Sequence, residues 1–198
     1  MSTNTTSVWR KKLKELEIVV VIPTYNNGKT LAAVIEEVCR YADDIIVVND
    51  GSTDDTANIL EQYPAIRTIT HPVNKGKGTA LKHGLSQAKK EGFRYAITID
   101  SDGQHFASDI PCFIEAIEKE PDTLLVGARN LASDNMPGKN TFANKFSNFW
   151  FRLETGLKLE DTQSGYRLYP LRKMNVQSCW YTAKYEFELE AKIGRAHV

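Results

Sequence analysis

Short, mostly apolar runs rich in β-branched residues recur along this chain, separated by stretches with helical periodicity. The runs cover residues 18–22, 45–48, 66–69, 96–99 and 124–126. Apart from Arg67, Thr68 and Thr98 they are apolar rather than alternating, which is typical of strands buried on both faces of a parallel sheet. Their alternation with helices predicts an α/β fold: an open, mostly parallel sheet with right-handed crossovers and helices on both faces.

The stretches between these runs carry helix signals. After the first run, four apolar residues are spaced i, i+3, i+4, i+7, as on one helix face: Leu31, Val34, Ile35 and Val38. Ser52, followed three residues later by Asp55, predicts a capping box that opens the next helix. Another helix is predicted over residues 79–90, and Ser108 is predicted to cap a later one, with Pro111 in its first turn.

Composition narrows the functional classes. The chain has 198 residues, 41% of them hydrophobic, with a formal net charge of +0. This size suits one domain with a full core, and the zero charge argues against nucleic acid as a partner. Cys39, Cys112 and Cys179 fit no zinc or disulfide spacing, which indicates a reducing, cytoplasmic environment. No apolar run approaches the roughly 20 residues that span a bilayer.

Polar or glycine-rich residues follow each predicted strand at its carboxyl end. They lie at 23–26, 49–52, 71–78, 100–102 and 127–129. Open α/β sheets bind ligands outside the carboxyl ends of their strands. The five loops are therefore predicted to meet at one ligand.

Asp100 and Asp102 are the most specific pair in these loops. Two carboxylates one residue apart at the end of a buried strand repel each other, and burial raises the cost. A divalent cation with additional water and phosphate ligands removes the conflict. The pair thus indicates metal-bound phosphate chemistry, although a solvated turn without metal has the same spacing.

Other polar residues at the strand ends have two readings each. Asp50 is a candidate to accept from a base or a ribose hydroxyl, or it is a turn residue. Lys75 and Lys77 flank a glycine and either face phosphate or belong to a solvated loop. Arg129 either clamps a diphosphate or makes a surface ion pair.

Five segments in order resemble glycosyltransferase family 2, within it most closely the dolichyl- or polyprenyl-phosphate mannosyltransferase branch. They are residues 20–26, 48–56, 74–78, 100–105 and 161–167, and the resemblance extends from about Ile18 to about Glu190. It implies the fold called GT-A, a nucleotide-sugar donor, Mg²⁺ or Mn²⁺ as cofactor, and transfer with inversion.

The resemblance also implies site residues. The nucleoside-binding positions correspond to Pro23, Tyr25 and Asp50. The metal-binding positions correspond to Asp100, Asp102 and Gln104, with Asp102 holding the cation on which the leaving diphosphate's charge collects. Arg129 matches the arginine of the family's Gly-Ser-Arg motif, here Gly-Ala-Arg. One position departs: Asn27 stands where this branch often has glutamate.

The acceptor-side motif of the family corresponds to Asp161, Ser164 and Arg167. A lipid phosphate acceptor is already ionised and needs no base. A sugar hydroxyl does need one, and Asp161 is then the candidate. A helix cap or an ion-pair partner is the alternative role for Asp161.

The predicted function is a metal-dependent inverting hexosyltransferase. It would move a sugar from GDP-mannose or a UDP-hexose to a polyprenyl phosphate or a related lipid or glycan acceptor. Two alternatives stay open: a sugar-phosphate nucleotidyltransferase, and a non-catalytic nucleotide-sugar-binding module. The former should carry a glycine-rich, Arg-containing loop after the first strand, which residues 23–27 do not resemble.

Peripheral contact with the cytoplasmic face of a membrane is expected. An aromatic-rich helical stripe either packs over the sheet or lines a path for a lipid acceptor: Phe142, Phe146, Phe149, Trp150, Leu153 and Leu157. A basic cluster near the start either touches anionic lipid or forms a solvated helix face: Arg10, Lys11, Lys12 and Lys14.

Three segments are expected along the chain. Residues 1–16 form a polar leader and short helix, and residues 17–192 form the glycosyltransferase domain, with more chain expected beyond it. Residues 193–198 lack the character of the resembled family and can be written as a translated sequencing adapter, so we interpret them as a non-native tail.

Overall fold

The computed structural model describes residues 3–127, 150–152 and 165–174. Within these ranges the strands are β1 Ile18–Thr24, β2 Ile45–Asn49, β3 Arg67–Thr70, β4 Tyr95–Thr98, β5 Leu125–Gly127, β6 Trp150–Arg152 and β7 Arg167–Pro170. The helices are α1 Thr3–Glu15, α2 Gly28–Cys39, α3 Thr56–Glu61, α4 Lys77–Lys90 and α5 Ile110–Lys119, the last preceded by a 3-10 turn at Ala107–Asp109.

The strands form one sheet in the order β3-β2-β1-β4-β7-β5-β6. The first four are mutually parallel, and β7 is antiparallel to both β4 and β5. Two reversals restore the direction, so β5 runs the same way as β4 although β7 lies between them. The carboxyl ends of β1 to β5 therefore lie at one edge of the sheet.

The central strands of the sheet are buried on both faces, whereas the edge strand β3 is largely exposed. On one face the core includes Leu31 and Ile35 of α2 and Phe113 of α5. On the other face Leu81 and Leu85 of α4 pack against the sheet. Every residue of β1, β2 and β4 is buried, which explains why these segments carry no polar alternation.

The basic residues of α1 are mostly paired. Leu13 is buried in the core, so α1 packs on the domain. Arg10 lies 3.3 Å from Asp43, and Lys12 lies 2.7 Å from Glu118. Lys11 pairs with Glu15 one turn later along the helix. This arrangement supports a solvated helix face rather than a lipid-binding cluster.

The five predicted strands are present, each within two residues of its predicted bounds. Both cap predictions are wrong. Helix α3 begins at Thr56 without a side-chain cap, and Ser52 instead accepts a hydrogen bond from the Asn26 backbone at 3.0 Å. The 3-10 turn replaces the helix start predicted at Ser108. Helix α4 begins at Lys77, two residues before the predicted start.

Among the described helices, none combines the length and the apolar character needed to cross a membrane.

Candidate functional site

A pocket of about 540 Å³ opens at the carboxyl edge of the sheet. Its lining comes from the loops that follow β1, β2, β3 and β4 and includes Pro23, Tyr25, Asp50, Lys77, Asp100 and Asp102. Four of the five predicted loops therefore meet at one site. The fifth continues from Gly127 into Arg129, which lies outside the described residues.

The loops after β1 and β2 are bound to each other. The Asn26 side-chain oxygen accepts from the Thr53 backbone at 2.8 Å, and the Ser52 hydroxyl accepts from the Asn26 backbone. Asn26 has φ 53°, a conformation that asparagine tolerates better than most residues. These contacts hold Tyr25 at the pocket with 43% of its side chain exposed, so a planar group could stack on its ring.

Asp50 is a buried carboxylate, 2% exposed, that organises the loop after β3. Its Oδ1 accepts from the Lys75 backbone at 2.9 Å, and its Oδ2 accepts from the Gly76 backbone at 2.8 Å. The close approach of the two loops depends on Gly51, which has φ 70°. A Cβ at this position would overlap the backbone of Val73 and Asn74.

Two histidines, His71 and His83, extend the hydrogen bonding of Asp50, and the sequence alone predicted no role for them. His71 Nδ1 is 2.6 Å from Asp50 Oδ1, and His71 Nε2 is 2.7 Å from Nδ1 of His83 on α4. Burial, His71 and Lys75 together lower the pKa of His83. The contact between Asp50 and His71 follows from strand register. Asn49 pairs with Thr70, so the next residues, Asp50 and His71, lie side by side.

Asp100 lies at the opposite side of β1 from Asp50. Its Oδ2 accepts from Lys77 Nζ at 2.9 Å, and the two side chains are 18% and 24% exposed. Gly165, beside the start of β7, approaches so closely that an added Cβ would overlap the Asp100 carboxylate. Asp102 is exposed and its Oδ1 accepts from the Gln104 backbone at 2.9 Å, so both residues belong to one turn.

The turn between the two carboxylates is fixed from β1 and α2. The Asn27 amide donates to the Ser101 hydroxyl at 2.7 Å, and the Thr30 hydroxyl donates to the Ser101 carbonyl at 2.6 Å. Asn27, the position that departs from the resembled branch, thus supports the carboxylate turn through Ser101.

The donor groups at this turn suit a hard divalent cation. Within the described ranges, no three Asp, Glu, His or Cys side chains form a ready metal cage. A cation here would be held by Asp100 and Asp102, with its other ligands from water and phosphate, as Mg²⁺ commonly is. Lys77 supplies positive charge to Asp100.

The remaining predicted residues divide into three groups. Arg167 is fully buried at the first position of β7, beside a hydrogen bond from the Thr98 hydroxyl to the Gly165 carbonyl. Lys75 has an exposed side chain outside the pocket lining and contributes its backbone N–H. Arg129, Asp161 and Ser164 lie outside the described residues.

Comparison with known proteins decides the family. The sequence model described as glycosyl transferase family 2 matches residues 19–178. The chain belongs to glycosyl transferase family 2. It is 32% identical to a UDP-N-acetylglucosamine–dolichyl-phosphate N-acetylglucosaminyltransferase of Methanococcus voltae, over 89% of this chain and 78% of that protein. It is 28% identical to the polyprenol monophosphomannose synthase of Mycolicibacterium smegmatis, over 76% of this chain and 60% of that protein.

Two solved structures share the fold of this chain. Glucosyl-3-phosphoglycerate synthase from Mycobacterium tuberculosis, in complex with UDP, superposes with a TM-score of 0.65 at 19% identity, over 98% of this chain and 69% of that one. S. aureus TarS 1-349 with UDP gives 0.63 at 18% identity, over 88% of this chain and 53% of that one. The α/β fold is thus of the GT-A type, as predicted.

The family membership makes this chain part of a glycosyltransferase enzyme family with polyprenyl-phosphate sugar transferases among its relatives. The chain spans between 52% and 78% of the length of the first curated relatives it matches, the shorter share being of a dolichyl-phosphate beta-glucosyltransferase of Trichomonas vaginalis.

Proposed function

We propose that this chain carries the donor site of an inverting, metal-dependent glycosyltransferase. The donor would be a nucleotide-diphosphate sugar, GDP-mannose or a UDP-hexose, and the acceptor a polyprenyl phosphate or a related lipid or glycan. One observation carries the proposal: Tyr25 and Asp50 lie on one side of the pocket, and Asp100 and Asp102 lie across β1 from Asp50. Two strand spacings, about 10 Å, separate these groups, which suits a nucleoside followed by a diphosphate.

The nucleoside end would use stacking and one carboxylate. Tyr25 offers an exposed ring face. Asp50 accepts from two backbone N–H groups and from His71, and a carboxylate has about four acceptor positions. One position therefore remains for an N–H or O–H donor of a base or ribose.

The diphosphate end would stabilise the leaving group. As the glycosidic bond to the sugar breaks, the nucleoside diphosphate gains negative charge. A bound cation would supply Lewis-acid stabilisation of that charge, held by Asp100 and Asp102 with Gln104 in the same turn. Lys77 would exchange its contact with Asp100 for one with phosphate, and Arg129 would contribute from the loop after β5.

The acceptor end is proposed from the relatives. Proteins named for transfer to dolichyl phosphate or as polyprenol monophosphomannose synthase are 28% to 32% identical to the chain over the aligned residues. A lipid phosphate would attack as the anion, without a base. With a sugar hydroxyl as the acceptor, Asp161 would take its proton, and Ser164 and Arg167 would help to position the acceptor in either case.

Calorimetry with GDP-mannose, UDP-glucose and UDP-GlcNAc, each with Mn²⁺ and with EDTA, tests the donor site. We expect one donor to bind in Mn²⁺ and to lose most affinity in EDTA. Metal-independent binding, or no binding of any donor, contradicts the proposal.

The variant Asp102→Ala should abolish the metal-dependent part of donor binding, because it removes one of two carboxylates that would hold the cation. Asp43→Ala is the matched control, since Asp43 is an exposed aspartate before β2, at the amino edge of the sheet. Retained Mn²⁺-dependent binding in Asp102→Ala would refute the metal assignment.

A further inference from the structure

Asp50, His71 and His83 form a hydrogen-bonded chain from the pocket to the flank of α4. The two links measure 2.6 Å and 2.7 Å. Asp50 and His71 are 2% and 4% exposed. Burying a carboxylate and an imidazole is costly unless both are hydrogen-bonded, so each member of the chain depends on the next.

The two hydrogen bonds couple the tautomers of the histidines. When Asp50 is a carboxylate it can only accept, so the Nδ1 of His71 donates to it. With His71 neutral, its Nε2 accepts from the Nδ1 of His83, and His83 then favours the His71 tautomer that Asp50 needs.

The other contacts of Asp50 identify the loop that this hydrogen-bonded series of side chains holds in place. Its two oxygens bind the backbone N–H groups of Lys75 and Gly76, in the loop of residues 74–78. The same segment includes Lys77, the first residue of α4, whose ammonium group lies against Asp100. The orientation of one carboxylate therefore sets the path of the loop that spans from the nucleoside side of the pocket to its diphosphate side.

We propose that His71 and His83 are positioning residues that fix the 74–78 loop through Asp50 and so preform the donor pocket before a ligand arrives. Neither histidine lines the pocket. The two histidines hold Asp50 in the orientation in which it accepts from the backbone of the loop. In that orientation Asp50 keeps one acceptor position for the ligand.

Amide hydrogen exchange at Lys75 and Gly76 tests the proposal without any nucleotide. In His83→Leu the donor to His71 is lost, and the Lys75 amide should exchange roughly tenfold faster, the factor that one hydrogen bond's net contribution corresponds to. The Gly76 amide should accelerate less, because its N–H also donates to Asn74 Oδ1 at 2.8 Å. His83→Asn places an amide N–H where Nδ1 stood and should restore slow exchange. Gln87→Leu is the matched control, because Gln87 lies one turn along α4 and its side chain donates only to Glu91 in the contacts described for it.

Unchanged exchange at Lys75 and Gly76 in folded His83→Leu overturns the proposal. An equal increase at core amides such as Val20 also overturns it, because that result reports a global loss of stability. If His83→Leu fails to fold, His83→Gln, whose amide lies one bond farther out, replaces it with the same expected direction and the same overturning results.

A second arm measures UDP and GDP binding in Mn²⁺, and this arm rests on the proposed function. His83→Leu should weaken binding several-fold relative to Gln87→Leu, with recovery in His83→Asn. Equal affinity in all variants contradicts the link from the loop to the donor. A wild-type protein that binds neither nucleotide refutes the proposed function instead, and the exchange arm alone then decides the positioning role.

Discussion

The Asp100 carboxylate lies between the ammonium group of Lys77 and Gly165, which has no side chain. Lys77 Nζ lies 2.9 Å from its Oδ2, and the Cα of Gly165 faces the same carboxylate. The requirement at residue 165 is for space, because a Cβ there would overlap all three atoms of the carboxylate group. A residue outside the Asp-x-Asp turn thus limits where the Asp100 carboxylate can lie.

Gly165→Ala should therefore reduce Mn²⁺-dependent donor binding at least tenfold while leaving the fold intact, since only the Asp100 side chain has to move. Isothermal calorimetry and a thermal melt measure the two effects. Ser86→Ala is the control, because Ser86 is a partly exposed residue of α4 that does not line the pocket. Equal donor affinity in Gly165→Ala and wild type would show that Asp100 does not hold the cation.

At this scale the sequence predicts contiguous motifs well and long-range partners poorly. Asp100 and Asp102 were recognisable because two carboxylates in one turn have a chemical consequence that can be stated without a structure. The Asp50–His71 pair was not, because it depends on the register of β2 against β3, and a one-residue slip would turn His71 away. His83 is more distant still, since it reaches the pair from a helix.

Helix α4 lies close to the sheet because Gly84 presents no side chain there. An added Cβ at Gly84 would meet Val21 Cγ1 at 2.5 Å and Val48 Cγ2 at 3.1 Å. Helix propensity alone would favour alanine by about 1 kcal/mol. The packing contact opposes this preference, because β1 and β2 are both central strands that cannot retreat.

Gly84→Ala should lower the free energy of unfolding by about 1–3 kcal/mol in spite of the propensity gain, as overpacking in a core does. Urea denaturation measures it. Ser86→Ala, at a partly exposed position of the same helix, should stay within about 0.5 kcal/mol of wild type. An increase in stability in Gly84→Ala would mean that α4 can move away from the sheet without cost.

The 3-10 turn before α5 carries a carboxyl with altered acidity. Burial, with a smaller contribution from the Glu37 carboxylate on α2, raises the pKa of Asp109 to about 6. The folded protein thus binds this proton more tightly than the unfolded chain does. The associated stabilisation is complete below about pH 4 and is lost as the pH rises through 6.

Asp109→Asn should therefore raise the free energy of unfolding above pH 6, because it removes a half-buried charge. Allowing for solvent screening, the gain should be about 1–2 kcal/mol. The gain should disappear as the pH falls toward 4, where wild-type Asp109 is neutral. Denaturation at pH 4, 6 and 8 measures the trend, with Glu61→Gln, an exposed carboxylate at the end of α3, as control. A pH-independent difference would contradict the altered acidity.

Most elements were predictable in kind, but not all. Periodicity predicted the five strands and helices α2 and α4, because burial constrains many residues at once. It also predicted a helical stripe through Trp150, but Trp150 begins strand β6, and the other residues of that stripe lie outside the described ranges. The cap predictions failed because a single hydroxyl has several partners of similar free energy. Ser52 accepts from Asn26 in the loop after β1 rather than from its own helix, so a tertiary contact replaced the local one.

The whole molecule has a zero formal charge and an α1 whose basic residues are largely paired with acids. Neither feature favours general attraction to an anionic surface. Membrane contact, if it belongs to the function, should therefore depend on the acceptor lipid and not on charge.

Liposome flotation tests this expectation. We expect recovery of the protein with vesicles that contain polyprenyl phosphate, and little recovery with vesicles that carry the same surface charge from another anionic lipid. Flotation with neither kind of vesicle would contradict the proposed lipid acceptor. Equal flotation with both would show that charge alone accounts for the contact.

The topology beyond β4 was the least predictable feature at this scale. The five apolar runs indicated a parallel sheet, and its first four strands are parallel as expected. The insertion of antiparallel β7 between β4 and β5 was not predicted, because residues 167–170 mix Arg, Tyr and Pro with a single Leu and lack the continuous apolar character of β1 and β2. Pairing of Thr98 with Arg167 joins residues that are far apart in sequence.

That insertion has a consequence for the order in which the protein can assemble during its synthesis. Strands β1 to β4 can pair with one another as soon as they leave the ribosome. The other edge of β4 stays unpaired until β7 is made, because Arg167 follows Thr98 by 69 residues. At about 5–20 residues per second the delay lasts several seconds. Throughout that time β4 presents an open edge to neighbouring chains. Gly165 lies just before β7, so its contact with the Asp100 carboxylate forms only when β7 pairs with β4.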